Sequence, residues 1–184
     1  MTVGWVVCGT GFEQTEAMYL RRDMHRDICE QTLAVMTSVI SKLRTFPVED
    51  NYWLRDFPRG SCSVASWAVG SILRELGFGD WTLISGAADQ AEDAQGWSLT
   101  HVWLELREDG RTLFSLDATA DQFPQWESEP FVVEGESPLG QHFCLNRQET
   151  LVSQPWERMR DPLHTLPLEH VRRSLFSSDG EHSA

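Results

Sequence analysis

Two segments of alternating side chains, joined by a glycine turn, constrain the fold of this chain more than any other feature. In residues 100–106, apolar side chains at the even positions alternate with His101, Trp103 and Glu105. Residues 112–118 return after Glu108-Asp109-Gly110, a tripeptide typical of hairpin turns. Because successive side chains of a strand point to opposite faces, the pattern predicts an antiparallel hairpin with one apolar face.

The length of the turn decides which residues of the hairpin lie opposite each other. A two-residue loop at Asp109-Gly110 would set His101 opposite Ala118, whereas a three-residue loop that starts at Glu108 would set His101 opposite Asp117. The three-residue loop gives Gly110 the left-handed conformation that glycine favours. It also pairs apolar with apolar residues on the other face, Val102 with Leu116 and Leu104 with Phe114. We therefore predict the three-residue loop, with the His101 imidazole hydrogen-bonded to Asp117.

A strongly apolar helix is predicted directly after Cys62. Gly77 follows this helix, at a place where helix ends favour a residue in the left-handed conformation. A helix with this pattern is expected to be buried, with Cys62 at its N-terminus. Its apolar residues recur at helical spacing, and they are Val64, Ala65, Ala68, Val69, Ile72, Leu73 and Leu76.

Cys62, His101 and Asp117 together form a candidate catalytic triad. A cysteine at a helix N-terminus lies near free backbone N–H groups and the positive end of the helix dipole, which stabilise a thiolate. The same N–H groups can hold the oxyanion that develops on an attacked carbonyl. His101 is the candidate general base, and Asp117 is the group that would fix its tautomer. Each residue alone has an ordinary structural interpretation, and their pairing across the hairpin favours catalysis.

The order of these residues is similar to that in the transglutaminase-like branch of the papain-like cysteine enzymes. The resemblance covers about residues 59–123. The matching pieces, in chain order, are Gly60-Ser61-Cys62, Leu76-Gly77, Ser85-Gly86, His101-Val102-Trp103-Leu104-Glu105 and Asp117-Ala118-Thr119. The resemblance implies an α+β, papain-like or transglutaminase-like fold. In such a fold the buried helix that carries Cys62 packs on an antiparallel sheet that carries His101 and Asp117.

The same resemblance implies an activity. Cys62 would be the nucleophile of an amide hydrolase, a peptidase or a protein or peptide deamidase, that works through a thioester acyl-enzyme without a metal or other cofactor. Two alternatives stay open. Acyl transfer to an amine, as in a transglutaminase or an N-acyltransferase, uses the same three residues. A papain-like interaction module needs none of them, and the intact set of Cys62, His101 and Asp117 argues against it.

The sequence departs from the papain-type pattern just before the nucleophile. Enzymes of that type carry a glutamine there as an oxyanion donor, whereas this chain reads Asp56-Phe57-Pro58-Arg59. The side chains of Asn51 and Trp53 are candidate substitutes, and the backbone N–H of Cys62 is a further donor. Gln122 and Trp103 are added as candidate substrate contacts.

We expect the chain to form a single domain over residues 1–184. Residues 1–58 are predicted as an N-terminal arm followed by a helix over 13–44, with Leu33, Met36, Ile40 and Leu43 on its buried side. Residues 59–123 form the catalytic core, with a short strand at 81–85 and an acidic loop at 87–98. Residues 124–176 are predicted to hold a strand at 131–133 and a helix over 163–176, before a disordered tail at 177–184.

Charge and cysteine usage limit the partners and the location. The formal net charge of −13 disfavours nucleic acid and anionic membranes, because both bind clustered Lys and Arg. It is compatible with a peptide or protein substrate of basic character. The four cysteines form no CxxC pair and no zinc-like spacing with histidine, so we expect no metal site and a reducing, cytoplasmic location.

Overall fold

The computed structural model describes residues 11–47, 49, 51–92, 98–126, 128–152 and 161–177. This part of the chain has the predicted α+β class. Its helices are α1 (Gly11–Leu43), α2 (Cys62–Glu75) and α3 (Pro162–Phe176). Its strands are β1 (Trp81–Glu92), β2 (Ser98–Glu108), β3 (Arg111–Asp117), β4 (Phe131–Glu134) and β5 (Leu145–Leu151). The predicted arm at 1–10 and all but the first residue of the predicted tail lie outside the described residues.

The strands form one antiparallel sheet in the order β4-β3-β2-β1-β5. The predicted hairpin, formed by β2 and β3, lies in the interior of this sheet. Residues of β2 therefore pair on both sides, and His101 pairs with Gly86 of β1. Because β2 is the middle strand and pairs on both sides, the backbone that carries His101 is held more firmly than it would be at the edge of the sheet.

The loop of this hairpin differs from the prediction. It contains two residues, Asp109 and Gly110, both with positive φ (48° and 75°), while Glu108 already pairs with Arg111. Two successive left-handed residues form the turn that matches the twist of a hairpin, and aspartate tolerates this conformation better than most residues. The prediction of a three-residue loop was therefore wrong, because it gave the left-handed position to glycine alone.

A bulge in β3 returns the side chains of His101 and Asp117 to the same face of the sheet. The shorter loop alone would have placed them on opposite faces. Arg107 pairs with Thr112 but Leu106 pairs with Phe114, so Leu113 is an extra residue in β3. A two-residue loop without the bulge would turn the His101 and Asp117 side chains to opposite faces. With the bulge they share a face, although Asp117 is offset by two residues from the predicted position opposite His101.

Helix α2 packs on the other face of the hairpin and forms the centre of the main core. Its residues from Val64 to Leu73 are all buried, as the apolar pattern predicted. Gly70 lets α2 approach closely, because a Cβ there would lie 3.2 Å from Leu104 of β2. The face that carries His101 has a second, smaller core of Ile84, Ala88, Trp103, Ala120, Phe123, Leu139 and Phe143. Both faces of β2 are thus covered.

Several elements outside the core helix refine the sequence prediction. Helix α1 buries Met36, Ile40 and Leu43 as predicted, but Leu33 is exposed. The loop predicted at 87–98 was wrong for residues 87–92, because β1 continues to Glu92. Strand β4 and helix α3 were predicted, whereas β5 was missed. No helix in the described ranges is both long and apolar enough to span a membrane.

Candidate active site

Cys62 is the first residue of α2 and is half-buried. Gly60, with φ of 70°, turns the chain into the helix, and the Ser61 hydroxyl donates to the Pro58 carbonyl instead of capping the helix. Ala65 is the first residue of α2 whose N–H reaches an acceptor, the Ser61 carbonyl. Within the described ranges, the N–H groups of residues 62–64 have no acceptor. The Cys62 thiol thus lies at an uncapped helix N-terminus.

The predicted contact between His101 and Asp117 is confirmed. The two side chains have no exposed surface, and His101 Nε2 lies 2.6 Å from Asp117 Oδ2. The other carboxylate oxygen of Asp117 accepts the Thr119 N–H at 3.0 Å. Asp117 is therefore held from both sides, and its contact with Nε2 leaves Nδ1 as the nitrogen available to a third group.

The thiol of Cys62 lies near enough to the His101 ring to influence the pKa of the imidazole. Burial lowers the pKa of His101, but the charge and hydrogen bond of Asp117, with those of Cys62, raise it to about 9. At neutral pH these interactions favour an imidazolium between a carboxylate and the sulfur. Such an imidazolium stabilises a neighbouring thiolate by charge.

An aromatic layer packs around the imidazole, which has no exposed surface. The ring centroids of Phe123 and Phe143 lie 4.8 Å and 5.0 Å from that of His101, and Trp103 stacks at 6.0 Å. Gly86 makes this layer possible, because a Cβ there would lie only 2.0 Å from the Phe143 carbonyl oxygen. The matched Ser85-Gly86 piece of the sequence therefore has a steric reason. Phe123 and Phe143 were missed, since they lie in segments without a periodic pattern.

Gln122 lies between the Gly60 turn, which leads into Cys62, and the imidazole of His101. Its Oε1 accepts the Gly60 N–H at 3.4 Å, and its Nε2 lies 3.3 Å from His101 Nδ1. The same Nε2 is 3.0 Å from the Thr119 carbonyl and 2.9 Å from the Thr119 hydroxyl. While His101 is an imidazolium, its Nδ1 is a donor, so the two Thr119 oxygens are the acceptors for the amide hydrogens. Gln122 lies in the site, as predicted, and its role as a substrate contact stays a prediction.

Trp103, predicted as a substrate contact, has no exposed surface. Its indole N–H donates to Glu105 Oε1 at 2.9 Å, and the Arg147 guanidinium lies 5.5 Å from its ring centroid. The indole is held by Glu105 and stacks on the His101 ring, so Trp103 supports the imidazole, and its role as a substrate contact stays a prediction.

The carboxylate of Glu105, 1% exposed, collects further charged partners. It accepts two hydrogen bonds from Arg107, one from Thr112 and one from Arg147 at 2.6–3.0 Å. Burial raises the pKa of Glu105, but the bonds from Trp103, Arg107 and Thr112 outweigh it and lower the pKa. Glu105 thus stays ionised, and its hydrogen bond fixes the indole of Trp103 against the imidazole of His101.

The two candidate substitutes for the missing oxyanion donor differ in the structure. Asn51 is 1% exposed, donates to the Leu163 carbonyl at 2.6 Å and accepts the Trp53 N–H at 3.0 Å. Its amide is engaged in anchoring the backbone, which corrects its assignment to the site. Trp53 is 40% exposed, forms a tilted ring contact with Tyr52, and lies beside the Gly60 turn. Its contact with substrate remains a prediction.

No three His, Cys, Asp or Glu side chains converge as metal ligands within the described ranges. No protein-family model matches the chain, and no similar protein was found among curated proteins or among solved structures.

Proposed function

We propose that this protein is a cysteine-nucleophile amide hydrolase with a papain-like, transglutaminase-like fold. One observation carries the proposal: a fully buried His101–Asp117 pair at 2.6 Å whose imidazole lies near the thiol of Cys62, at the start of a buried helix. Nucleophile, base and orienting carboxylate in such contact are the recurring elements of covalent acyl chemistry. The chain order of Cys62, His101 and Asp117, with the five matching sequence pieces, supports the family.

In the first step, the Cys62 thiolate attacks the carbonyl carbon of an amide. The oxyanion that forms accepts a hydrogen bond from the backbone N–H of Cys62, which has no acceptor among the residues that the structure describes. The imidazolium of His101 donates its Nδ1 proton to the departing amine, and the carbon–nitrogen bond breaks. The products are a free amine and a thioester on Cys62.

In the second step, neutral His101 removes a proton from water, which attacks the thioester. The tautomer is correct for this role, because Asp117 holds the proton on Nε2 and leaves Nδ1 basic. Collapse of the intermediate releases the carboxylic acid and regenerates the Cys62 thiolate and the imidazolium. An amine in place of water would give acyl transfer by the same residues, and the test below includes that outcome.

The substrate we propose is a peptide or protein segment, preferentially basic. The net charge of −13 attracts cationic partners, and Asp89 is exposed on β1. The exposed rings of Tyr52 and Trp53, in contact beside the Gly60 turn, offer an apolar surface for the substrate's side chains. A free-thiol nucleophile suits a reducing compartment, and we propose the cytoplasm.

The experiment is covalent trapping with a thiol-directed acyl probe that forms a stable thioester analogue, read by intact mass and peptide mapping. We expect one adduct on Cys62 in the wild-type chain, the same adduct in Cys144→Ala, and none in Cys62→Ala. Cys144→Ala is the matched control, because that thiol is exposed and is no part of the site. A peptide-library digestion with and without an added primary amine then separates hydrolysis from transfer. An unlabelled Cys62 in the folded wild-type protein would overturn the proposal.

A further inference from the structure

A second cluster of nucleophile, base and carboxylate lies at the start of α2, outside the site described above. Ser63 Oγ lies 2.9 Å from His164 Nε2, and His164 Nδ1 lies 2.9 Å from Asp161 Oδ2. Ser63 belongs to the first turn of α2, whereas Asp161 and His164 belong to the start of α3. The three side chains thus form a continuous chain of hydrogen bonds between two helix N-termini.

The carboxylate fixes the tautomer of this imidazole. Asp161 caps α3, because its Oδ1 accepts the Leu163 N–H at 3.0 Å, while Oδ2 faces His164. The Leu163 N–H and the His164 ring lower the pKa of Asp161, which stays a carboxylate and an acceptor only. Nδ1 of His164 therefore carries the proton, and Nε2 accepts the hydroxyl proton of Ser63. This is the arrangement in which an imidazole can act as a base towards serine.

Docking of the two helices does not require this arrangement. The start of α3 is already held by Asn51, which donates to the Leu163 carbonyl at 2.6 Å, and by the buried side chains of Leu168 and Val171. A single hydrogen bond between Ser63 and any acceptor would add the same attachment. What the cluster adds is a base of defined tautomer at the serine hydroxyl.

The surroundings meet the other needs of a nucleophile. Ser63 is half-buried, and the His164 side chain keeps 13% of its surface exposed, so a substrate can approach the hydroxyl. The backbone N–H groups of Ser63 and Val64 have no acceptor within the described ranges, and they lie at the positive end of α2. They are donors for the oxyanion that forms on the carbonyl oxygen of an ester attacked by Ser63.

We propose that Ser63, His164 and Asp161 form a second acyl-transfer site with Ser63 as its nucleophile, acting on activated carboxylic esters. Ser63 Oγ bonds to the ester carbonyl carbon as its proton passes to His164 Nε2. The ester carbon–oxygen bond then breaks, and His164 returns the proton to the departing alcohol. His164 then takes a proton from water, which attacks the acyl carbon. The bond from that carbon to Ser63 Oγ breaks, His164 returns the proton to Ser63 Oγ, and the acid is released. The site does not depend on the function proposed for Cys62.

Other serines of the chain provide the contrast within the same protein. The hydroxyl of Ser38, exposed on α1, donates to the Ala34 carbonyl, and that of Ser66 donates to the Val102 carbonyl. A carbonyl oxygen does not remove a proton, so neither hydroxyl is activated. Ser38 is the better control, because it is more accessible than Ser63 but has no base.

The test uses the full chain and a fluorophosphonate probe, with adducts located by peptide mapping. Mapping separates Ser63 from its neighbour Cys62, so the two sites succeed or fail independently. We expect an adduct on Ser63 and none on Ser38, in the wild-type protein and in Cys62→Ala. Labelling of Ser38 as fast as Ser63, or no label on Ser63 in the folded wild-type protein, would overturn the proposal and leave a helix-docking contact.

Variants of the base provide the second measurement. His164→Gln should slow the labelling of Ser63 by roughly 10²-fold or more, the usual contribution of a positioned base. Asp161→Asn should slow it less, because it disturbs the tautomer and leaves the ring. Circular dichroism verifies that α3 is retained. An unchanged labelling rate in folded His164→Gln would show that the imidazole does not activate Ser63, and the proposal would fall.

Discussion

Replacing Asp117 with asparagine removes the negative charge that keeps His101 protonated, while leaving the shape of the side chain. In the native protein, burial lowers the pKa of His101, but Asp117 and Cys62 raise it from 6.5 to about 9. In the variant, burial remains and the largest opposing contribution is lost. We therefore expect His101 to be neutral at pH 7 in Asp117→Asn and protonated in the wild-type protein.

The magnitude follows from the shift. A group whose pKa is higher in the folded state than in the unfolded state stabilises the fold below the unfolded value. For His101 this stabilisation is complete below pH 6.5 and is lost as the pH rises through about 9. At ~1.4 kcal/mol per unit, the shift corresponds to about 3 kcal/mol of unfolding free energy. The difference between the wild-type protein and Asp117→Asn should shrink by about that amount across this window.

The assay is urea unfolding of both proteins at half-unit steps from pH 6 to pH 10. Taking the difference at each pH cancels the groups that titrate alike in both. The series is repeated with Cys62→Ala in both proteins, which removes the ionisation of that thiol. A difference that stays constant from pH 6.5 to 9 would refute the reasoning, because it would mean that Asp117 does not hold a proton on His101.

Four further measurements test the packing, the hydrogen bonds and the mechanism. Gly86→Ala places a Cβ about 2.0 Å from the Phe143 carbonyl oxygen and should cost about 2 kcal/mol or more of unfolding free energy in urea titrations. Gly77→Ala, with φ of 81° and open space, should cost only about 1 kcal/mol, and equal costs would contradict the steric argument. Glu105→Gln should destabilise by roughly 1–3 kcal/mol, measured in the same way, and a neutral effect would mean that its buried hydrogen bonds are dispensable. Asp117→Asn should lower kcat on the order of 10⁴-fold with circular dichroism unchanged, and full activity in that variant would remove the carboxylate from the mechanism.

The hairpin illustrates how much the sequence could predict. Alternation in residues 100–106 and 112–118 identified both strands, and the apolar pattern after Cys62 identified α2. The contact of His101 with Asp117 was predicted from a wrong register. It is present nonetheless, because a two-residue loop plus the Leu113 bulge gives the same facing as the predicted three-residue loop. A bulge leaves the local pattern of side chains nearly unchanged, so the sequence offered no signal for it.

Strand β5 was missed by the sequence prediction for a different reason. It is an edge strand whose residues are all exposed, so it carries no apolar alternation from which a strand could be read. The same exposure explains why its contribution to the Glu105 network through Arg147 was not predicted. In β1, residues 87–92 have small and polar side chains, and pairing with β2 and β5 rather than local propensity keeps them in the sheet.

Contacts between residues that are far apart in the sequence could not be predicted from any local pattern. His164 meets Ser63 across 101 positions of sequence, and Asn51 meets Leu163 across 112. In a single sequence nothing marks such pairs, because each residue is common at a helix start or in a turn. The candidate triad was recognisable only because two of its members lie in one hairpin.

The most direct test of the central claim compares the thiols of the chain with one another. Brief exposure to iodoacetamide at pH 7, followed by peptide mapping, measures the alkylation rate of each cysteine. Cys62 should react first, because a thiolate at a helix start beside a protonated His101 is the more reactive form. Cys29 should react slowly, since burial and then the charge of Glu134 raise its pKa, and exposed Cys144 controls for access. If Cys144 or Cys29 is alkylated faster than Cys62, then Cys62 is not an activated nucleophile and the account is contradicted.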